Sequence, residues 1–328
     1  MIRGFPVEQL RTFFYLFCYK GGAQMKYIDR KGNITIEENG QDTLLKRLYN
    51  DRGGRLCLRI LVRPFVSKAA GFFLNTAVSA KLVPGFVKRN RIDLSLYQKQ
   101  EFTSYNDFFT RKIKEQERPV AEGDRILISP CDGKATVCRI AEDSRFYIKD
   151  TQYTVEQLLR NKKLARKYLG GYALILRLTV DDYHRYCYVA DGIKSKNVVL
   201  PGVFHTVNPA ANDALPIYKE NSREYTLLKT EKFGTILMME VGAMMVGKIT
   251  NHKKGSGPVK KGEEKGYFEF GGSTVIMLLQ HGKVRLDYDL VENSENDYET
   301  IVRMGERIGE QKLPKRTGKN HRREPEIQ

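Results

Sequence analysis

From Ile126 to Asp289 the chain breaks into short apolar runs rich in β-branched and aromatic residues. Ile126–Ile140, Phe146–Tyr153, Tyr172–Val180, Lys196–Val207, Tyr225–Leu228, Thr235–Val241, Met244–Thr250, Tyr267–Leu279 and Val284–Asp289 all read as strands. Runs this short, set between turn residues, build sheets and not helical bundles. One helix interrupts them at 154–168, with Thr154 as N-cap and Gly170-Gly171 as its stop. A short helix is predicted within 104–119, leaving at Pro119, and a last one at Asn296–Val302. The fold class is α+β: a mainly antiparallel β core with basic amphipathic helices N-terminal to it.

Inside the Tyr267–Leu279 run stands Gly271-Gly272-Ser273. Glycine within a strand weakens pairing and leaves nothing to pack, so an unusual backbone or a close approach is expected there. A bent backbone brings a serine hydroxyl onto the carbonyl before it, and glycine on the acyl side tolerates the strain. Attack replaces the amide by an ester, and β-elimination then breaks the chain and leaves dehydroalanine. Hydration and loss of ammonia give a pyruvoyl group at a new N-terminus. Alone the tripeptide is a weak signal, because an ordinary serine beside a Gly-Gly bulge reads the same. Three stretches accompany it. SPCDGKATV puts Asp132 before a glycine, and LTVDDYHRYCYVADG puts His184 among Asp181, Asp182, Tyr183 and Arg185. VGAMMVGKI is a small-residue-rich strand just upstream of the serine.

The 328 residues suffice for one large domain or two ordinary ones, and 41% of them are hydrophobic. A formal net charge of +17 points to an anionic partner. Arg52–Arg91 carries nine Lys or Arg and no acidic residue, interleaved with Leu, Val and Phe. Two helices are expected there, one broken by Pro64 and a second ended by Pro84-Gly85. Two core-packing helices with solvated charges read this way, as does a basic amphipathic hairpin on an anionic bilayer; the lack of acids favours the bilayer. A nucleic-acid partner is not expected, since no zinc-finger pattern or RNP-like aromatic strand is present. Five cysteines, an odd number without a CxxC pair, read as free thiols in a reducing compartment. His184 and Cys187 alone make no metal site, so no metal is expected. The apolar stretch Ala69–Ala80 has 12 residues against the ~20 a spanning helix needs. The first 24 residues contain Glu8 and Arg11 and no small-residue cleavage site, so no signal peptide is read, and Met25 is an alternative start. Residues 26–50 are expected to be a poorly structured lead-in and the basic tail to be disordered.

In order and spacing, YNDFFTRKI, PCDG, DYHR, PGVFHTVN, EKFG, VGAMMVGKI, GYFEFGGSTVI and MGERIG resemble the phosphatidylserine decarboxylase family, pyruvoyl-dependent self-cleaving enzymes. The likeness runs from about Tyr105 to Gly309. The family cuts a Gly-Ser bond, usually within Leu-Gly-Ser-Thr, and here Gly271 stands in place of that leucine. The resemblance implies a zymogen cut between Gly272 and Ser273. Its products would be a β subunit, residues 1–272, and an α subunit beginning at the pyruvoyl made from Ser273, together an α/β heterodimer from one chain. It implies conversion of phosphatidylserine to phosphatidylethanolamine and carbon dioxide through a Schiff base. The three expected regions are a membrane-docking 1–100, a catalytic 101–311 and a basic tail 312–328.

The family's aspartate maps onto Asp132 and the first histidine of its His-x-x-His pair onto His184. The second histidine falls on Cys187, a departure, since that histidine is assigned to self-cleavage with the aspartate and serine. A thiol of ordinary pKa ~8.5 is a poorer base than imidazole. Three remedies stand open. Cys187 is a thiolate because of Arg185, or His184 serves both steps, or His205 reaches in from a neighbouring strand. A homologue that docks on membranes without self-processing is the alternative reading, and a pyruvoyl decarboxylase acting on a soluble amino acid is a third. The expected catalytic set is Ser273, Asp132 and His184. The expected setting is peripheral, on the cytoplasmic face of the cell membrane, facing phosphatidylserine in an anionic surface. The sequence leaves homo-oligomerisation open.

Overall fold

The computed structural model describes residues 25–37, 71–148, 151–179, 181–202, 219, 221–242, 248–269 and 273–313. The first half of the Arg52–Arg91 segment and most of the tail therefore lie outside the described residues.

The chain first forms a hairpin of β1 (Met25–Ile28) and β2 (Ile34–Glu37), where the sequence predicts an unstructured lead-in. Its turn is built locally. The Asp29 carboxylate accepts from the amides of Lys31 and Asn33, and Gly32 takes φ 88°. Next come α1 (Ala77–Ala80) and α2 (Val83–Asn90). Pro84 begins α2 instead of ending a helix, because a first-turn proline lacks only an N–H that no carbonyl needs. Arg91, at φ 52°, closes α2. Leu74 and Val83 are buried against α3 (Tyr105–Phe109), and half-buried Phe86 packs beside them, meeting Tyr105 and Phe108 edge-on. Ser104 caps α3 by accepting from the Asp107 amide.

The expected strand 126–140 is two strands, β3 (Ile126–Ile128) and β4 (Gly133–Arg139), in different sheets. Phe146–Tyr153 is likewise a hairpin, β5 (Arg145–Ile148) with β6 (Thr151–Thr154). The helix expected over 154–168 starts at Thr154, which accepts from the Gln157 amide. It breaks at Arg160, φ 50°, into α4 (Val155–Leu159) and α5 (Lys162–Ala165), the second capped by Asn161. Then follow β7 (Tyr172–Leu178), β8 (Arg185–Cys187), β9 (Gly192–Lys194), β10 (Val198–Leu200), β11 (Arg223–Lys229) and β12 (Thr235–Gly242). After β13 (Ile249–Asn251) and β14 (Gly257–Val259), the Tyr267–Leu279 run also divides, into β15 (Glu264–Phe268) and β16 (Ser273–Leu279). The chain ends with β17 (Val284–Leu286), α6 (Tyr288–Glu295), β18 (Glu299–Val302) and β19 (Arg307–Gln311). The last helix thus lies earlier than predicted, and 299–302 is a strand paired with β4 and β1.

The large sheet runs β14-β9-β11-β12-β16-β7-β4-β18-β1-β2, with β10 added beside β11. Its named pairings are antiparallel except β1 with β18. Every residue of the central β16 is buried, which is why STVIMLL reads as a continuous apolar run. Val275, Met277 and Leu279 face one core, which includes Tyr186, Cys187 and Phe268 of the small sheet β13-β15-β8. Ile276 and Leu278 face the other, closed by Leu158, Leu159, Leu164 and Tyr168. The small sheet lies over the face of β16 that carries its odd-numbered residues, Ser273 included.

Candidate active site

Phe268 ends a strand of the small sheet and Ser273 begins one of the large sheet. Ser273 therefore opens a new strand in another sheet and does not lie in the middle of one strand. Gly272 and Gly271 lie outside the described residues, as does His205. Ser273 pairs with Gly242 of β12 on one side and Leu178 of β7 on the other. Its side chain is fully buried, and its Oγ has no hydrogen-bond partner among the described residues.

Leu178 leads into Thr179, and four residues after the Leu178–Thr179 step's start the chain has turned at Asp182 toward His184. The Asp182 amide donates to the Thr179 carbonyl at 3.0 Å. The Asp182 carboxylate accepts from Lys134 Nζ, at 2.9 and 2.8 Å, and from the amide and hydroxyl of Thr179. Burial pushes that carboxyl up, but Lys134 and Thr179 hold it below the ordinary range. His184 is buried at 1% exposure against the Phe109 ring, 4.0 Å between centroids. Its Nδ1 lies 2.9 Å from the Asp182 carbonyl oxygen, which can only accept, so Nδ1 carries the proton. Nε2 is left as a bare lone pair, buried and without a partner among the described residues. Burial depresses the imidazole pKa to about 3; Asp182 raises it, while Arg111 and Lys134 lower it further. The ring is neutral at physiological pH, the protonation state a general base requires.

Asp132 sits at the head of β4, next to Gly133. A Cβ on Gly133 would come within 2.9 Å of the Arg177 carbonyl oxygen, so the Asp-Gly pair is dictated by a close strand approach. The Asp132 carboxylate is held by Arg118, with Nε at 2.8 Å, and by the Met304 amide at 2.8 Å. Its partners are therefore neither His184 nor Ser273.

Cys187 closes β8. Its Sγ faces the Ser129 carbonyl at 3.8 Å, and its amide donates to the Pro130 carbonyl. Burial, with Glu264 and Asp132 nearby, pushes the thiol up to about 12. The Arg185 route to a thiolate does not operate in this geometry. That guanidinium is spent on Glu264 and the carbonyls of Thr110 and Arg111. Cys187, Tyr183, Arg118, Glu264 and Met304 line a cavity of about 360 Å³.

The structure adds residues that the motifs did not single out. Lys134, Arg111 and Arg118 surround the Asp132 and His184 turns, and a fully buried Lys265–Glu240 pair at 2.6 Å joins the two sheets beside β16. Each is a charge within an otherwise apolar or motif-bearing run, such as Glu240 in TILMMEVG. That incongruity was the available signal. No cluster of three or more His, Cys, Asp or Glu able to hold a metal occurs among the described residues, and none of their helices is long and apolar enough to cross a membrane.

Comparison with known proteins places this geometry in a family. The family described as phosphatidylserine decarboxylase matches residues 105–310. Phosphatidylserine decarboxylase proenzyme 2 of Clostridium acetobutylicum is 45% identical over 274 residues, covering 83% of this chain and 92% of that protein. The phosphatidylserine decarboxylase proenzymes of Fusobacterium nucleatum and Chlamydia caviae are each 39% identical, covering 88% and 87% of this chain and 98% of each relative. The chain belongs to the phosphatidylserine decarboxylase family, a family of carboxy-lyases.

Proposed function

We propose that this chain converts phosphatidylserine to phosphatidylethanolamine and carbon dioxide, after cutting its own Gly272–Ser273 bond and turning Ser273 into a pyruvoyl group. The observation that carries the reading is the Ser273 hydroxyl, fully buried and unpartnered among the described residues, in a chain of this family. An orphaned buried polar group costs about 1–3 kcal/mol, and a folded protein that keeps one needs a reason. A nucleophile poised for a single intramolecular attack is such a reason.

In this reading His184 Nε2 takes the Ser273 hydroxyl proton as Oγ bonds to the Gly272 carbonyl carbon. The same proton goes to the departing amide nitrogen as the C–N bond breaks. Loss of the Ser273 Cα proton then expels the Gly272 carboxylate, and addition of water with loss of ammonia completes the ketone. The pyruvoyl group supplies a ketone that takes up an amine and accepts electrons as carbon dioxide leaves. His184 afterwards returns a proton to carbon. Asp132 assists by fixing the Gly133 end of β4 through Arg118 and the Met304 amide, not by taking a proton. Cys187 stays a neutral thiol, so of the three remedies His184 serving both steps is the one we adopt.

The setting we propose is an anionic membrane surface, met by the 71–91 helices. Phe72, Phe73, Val78 and Leu82 are exposed there, and Lys81, Lys88, Arg89 and Arg91 stand among them without an acid. Residues 1–100 and 101–311 remain our division into docking and catalytic regions, although the 25–37 hairpin joins the large sheet.

A denaturing gel tests the reading. The purified protein should give two bands, the smaller about 6 kDa, the share of the 37.7 kDa chain in residues 273–328. Ser273→Ala should stay whole and release no carbon dioxide from phosphatidylserine vesicles. An uncut parent chain that forms no ethanolamine lipid would overturn the proposal.

A further inference from the structure

His184 is held by a charged turn, and two buried cations that build the turn have no part in the mechanism above. Lys134, on β4, reaches the turn from one side. Its Nζ donates to both Asp182 carboxylate oxygens and to Thr179 Oγ1 at 2.6 Å. Arg111 reaches it from the other side. Its guanidinium lies against the rings of Tyr97 and Phe108, 4.6 Å from each centroid. From there Nη2 donates to the carbonyls of Asp181, at 3.2 Å, and Asp182, at 3.3 Å. The Asp182 carbonyl is the same oxygen that accepts the His184 Nδ1 proton.

Both cations are buried, Arg111 at 3% and Lys134 at 8% exposure. Burying a cation is expensive unless it is paired. Lys134 has Asp182, whereas Arg111 has no carboxylate within ion-pair distance among the described residues; its Nη1 and Nη2 go to carbonyls and the Tyr97 hydroxyl, and its Nε has no partner among the described residues. Its stacked plane fixes the direction of those donors, which a lysine could not do. The turn they grip starts one residue beyond Leu178, the ladder partner of Ser273.

We propose that Arg111 and Lys134 are positioning residues for His184. Gripping the Thr179–Asp182 turn from two sides, they hold the Asp182 carbonyl on Nδ1–H and thereby fix the direction of the Nε2 lone pair. The purpose of the grip rests on the reading of His184 as the base for Ser273, but the grip itself is measurable without any reaction.

The experiment uses the full chain with Ser273→Ala, labelled with ¹⁵N-histidine, and reads the His184 tautomer by long-range ¹H–¹⁵N correlation. His184→Gln assigns the signal among the five histidines. The parent should show a protonated Nδ1 and a bare Nε2. Lys134→Met and Arg111→Met should each turn this into an average of the two tautomers, and Arg111→Lys should not restore it. In the chain with Ser273 intact, each methionine variant should slow self-cleavage by about tenfold or more, part of the roughly 10²–10⁴-fold that a positioned general base contributes. Should Lys134→Met fail to fold, Lys134→Met with Asp182→Asn removes the buried charge pair and leaves an acceptor for the Thr179 amide; it should give the same averaged signal. A His184 that keeps its Nδ1 proton in the folded variants, with cleavage unchanged, overturns the proposal. A parent chain that never cleaves, yet shows the expected tautomer and its loss in the variants, sinks the maturation reading and leaves the grip standing.

Discussion

Ser273 Oγ and His184 Nε2 both lose water on folding and gain no partner among the described residues. For the histidine this has a consequence for stability. The folded ring titrates at about 3, below the ordinary value of 6.5. Between those values the unfolded chain binds a proton that the folded chain refuses, so acid favours unfolding, and the His184 contribution is complete only above pH 6.5. In the uncut Ser273→Ala background, urea unfolding at pH 4.5 and 7.5 should show His184→Gln losing less stability on acidification than its parent. Equal losses would mean that the ring is solvated. Cys187 leads to an opposite expectation. A thiol held protonated takes no proton from Ser273, so Cys187→Ala should cleave at nearly the parental rate on a time-course gel, and His184→Ala should not cleave. Ser273, Asp132 and His184 stood out in the sequence because their neighbours form motifs, but the pairing of Asp132 with Arg118 and the Met304 amide did not. Lys134 and Arg111 were not singled out. Their place in motif-bearing runs was a signal, but a basic residue one or two positions from an apolar one also reads as a solvated face, and the folded turn decides that both cations are buried.

At the scale of elements, periodicity located the strands but not their sheets. β3 and β4, or β15 and β16, are each one apolar run in sequence, and the break between them is a change of partner that no local pattern encodes. The second pair is the more telling case, since placing Gly271-Gly272-Ser273 inside one run assumed that the same strand continued past it. Helix limits were misread for local reasons, as at Pro84 and Arg160. For the α1–α2 segment the sequence offered core packing and surface exposure as alternatives, and residues 71–91 do both. Leu74, Val83 and Phe86 pack inward on α3, whereas Phe72, at 79% exposure, and Val78, at 64%, face out. Deleting the segment would therefore damage a core as well as a surface. Phe72→Ser with Val78→Ser is the cleaner change. It should leave thermal unfolding nearly unaltered and weaken co-sedimentation with phosphatidylserine-containing vesicles by about a hundredfold or more, since each of the two apolar side chains is worth about 1.5–3 kcal/mol when fully buried. Unaltered sedimentation would move the docking surface elsewhere.

Over the whole molecule, the two sheets that meet at Ser273 are joined by charge as well as by packing. Lys265 on β15 and Glu240 on β12 are both fully buried. Asn251 on β13 completes the link, accepting from Lys265 at 2.8 Å and donating to Glu240 at 3.2 Å. Glu240 stands opposite Val275, one ladder step along the same face from the Gly242–Ser273 pair. The link thus fixes the small sheet over the face of β16 on which the hydroxyl lies. Burial raises the Glu240 pKa against the pull of Lys265 and Asn251, so the carboxylate depends on its partners to stay charged. Removing one partner leaves a buried charge uncompensated, at a typical cost of 3–5 kcal/mol, whereas replacing both by apolar groups is often neutral. Lys265→Met should therefore lower the unfolding free energy of the uncut chain by about that amount, and Lys265→Met with Glu240→Leu should restore most of it. The double variant separates stability from registration. If the ion pair also sets the small sheet over β16, the restored chain will still cleave more slowly than the parent when Ser273 is present. If it cleaves at the parental rate, apolar packing alone brings the two sheets into register.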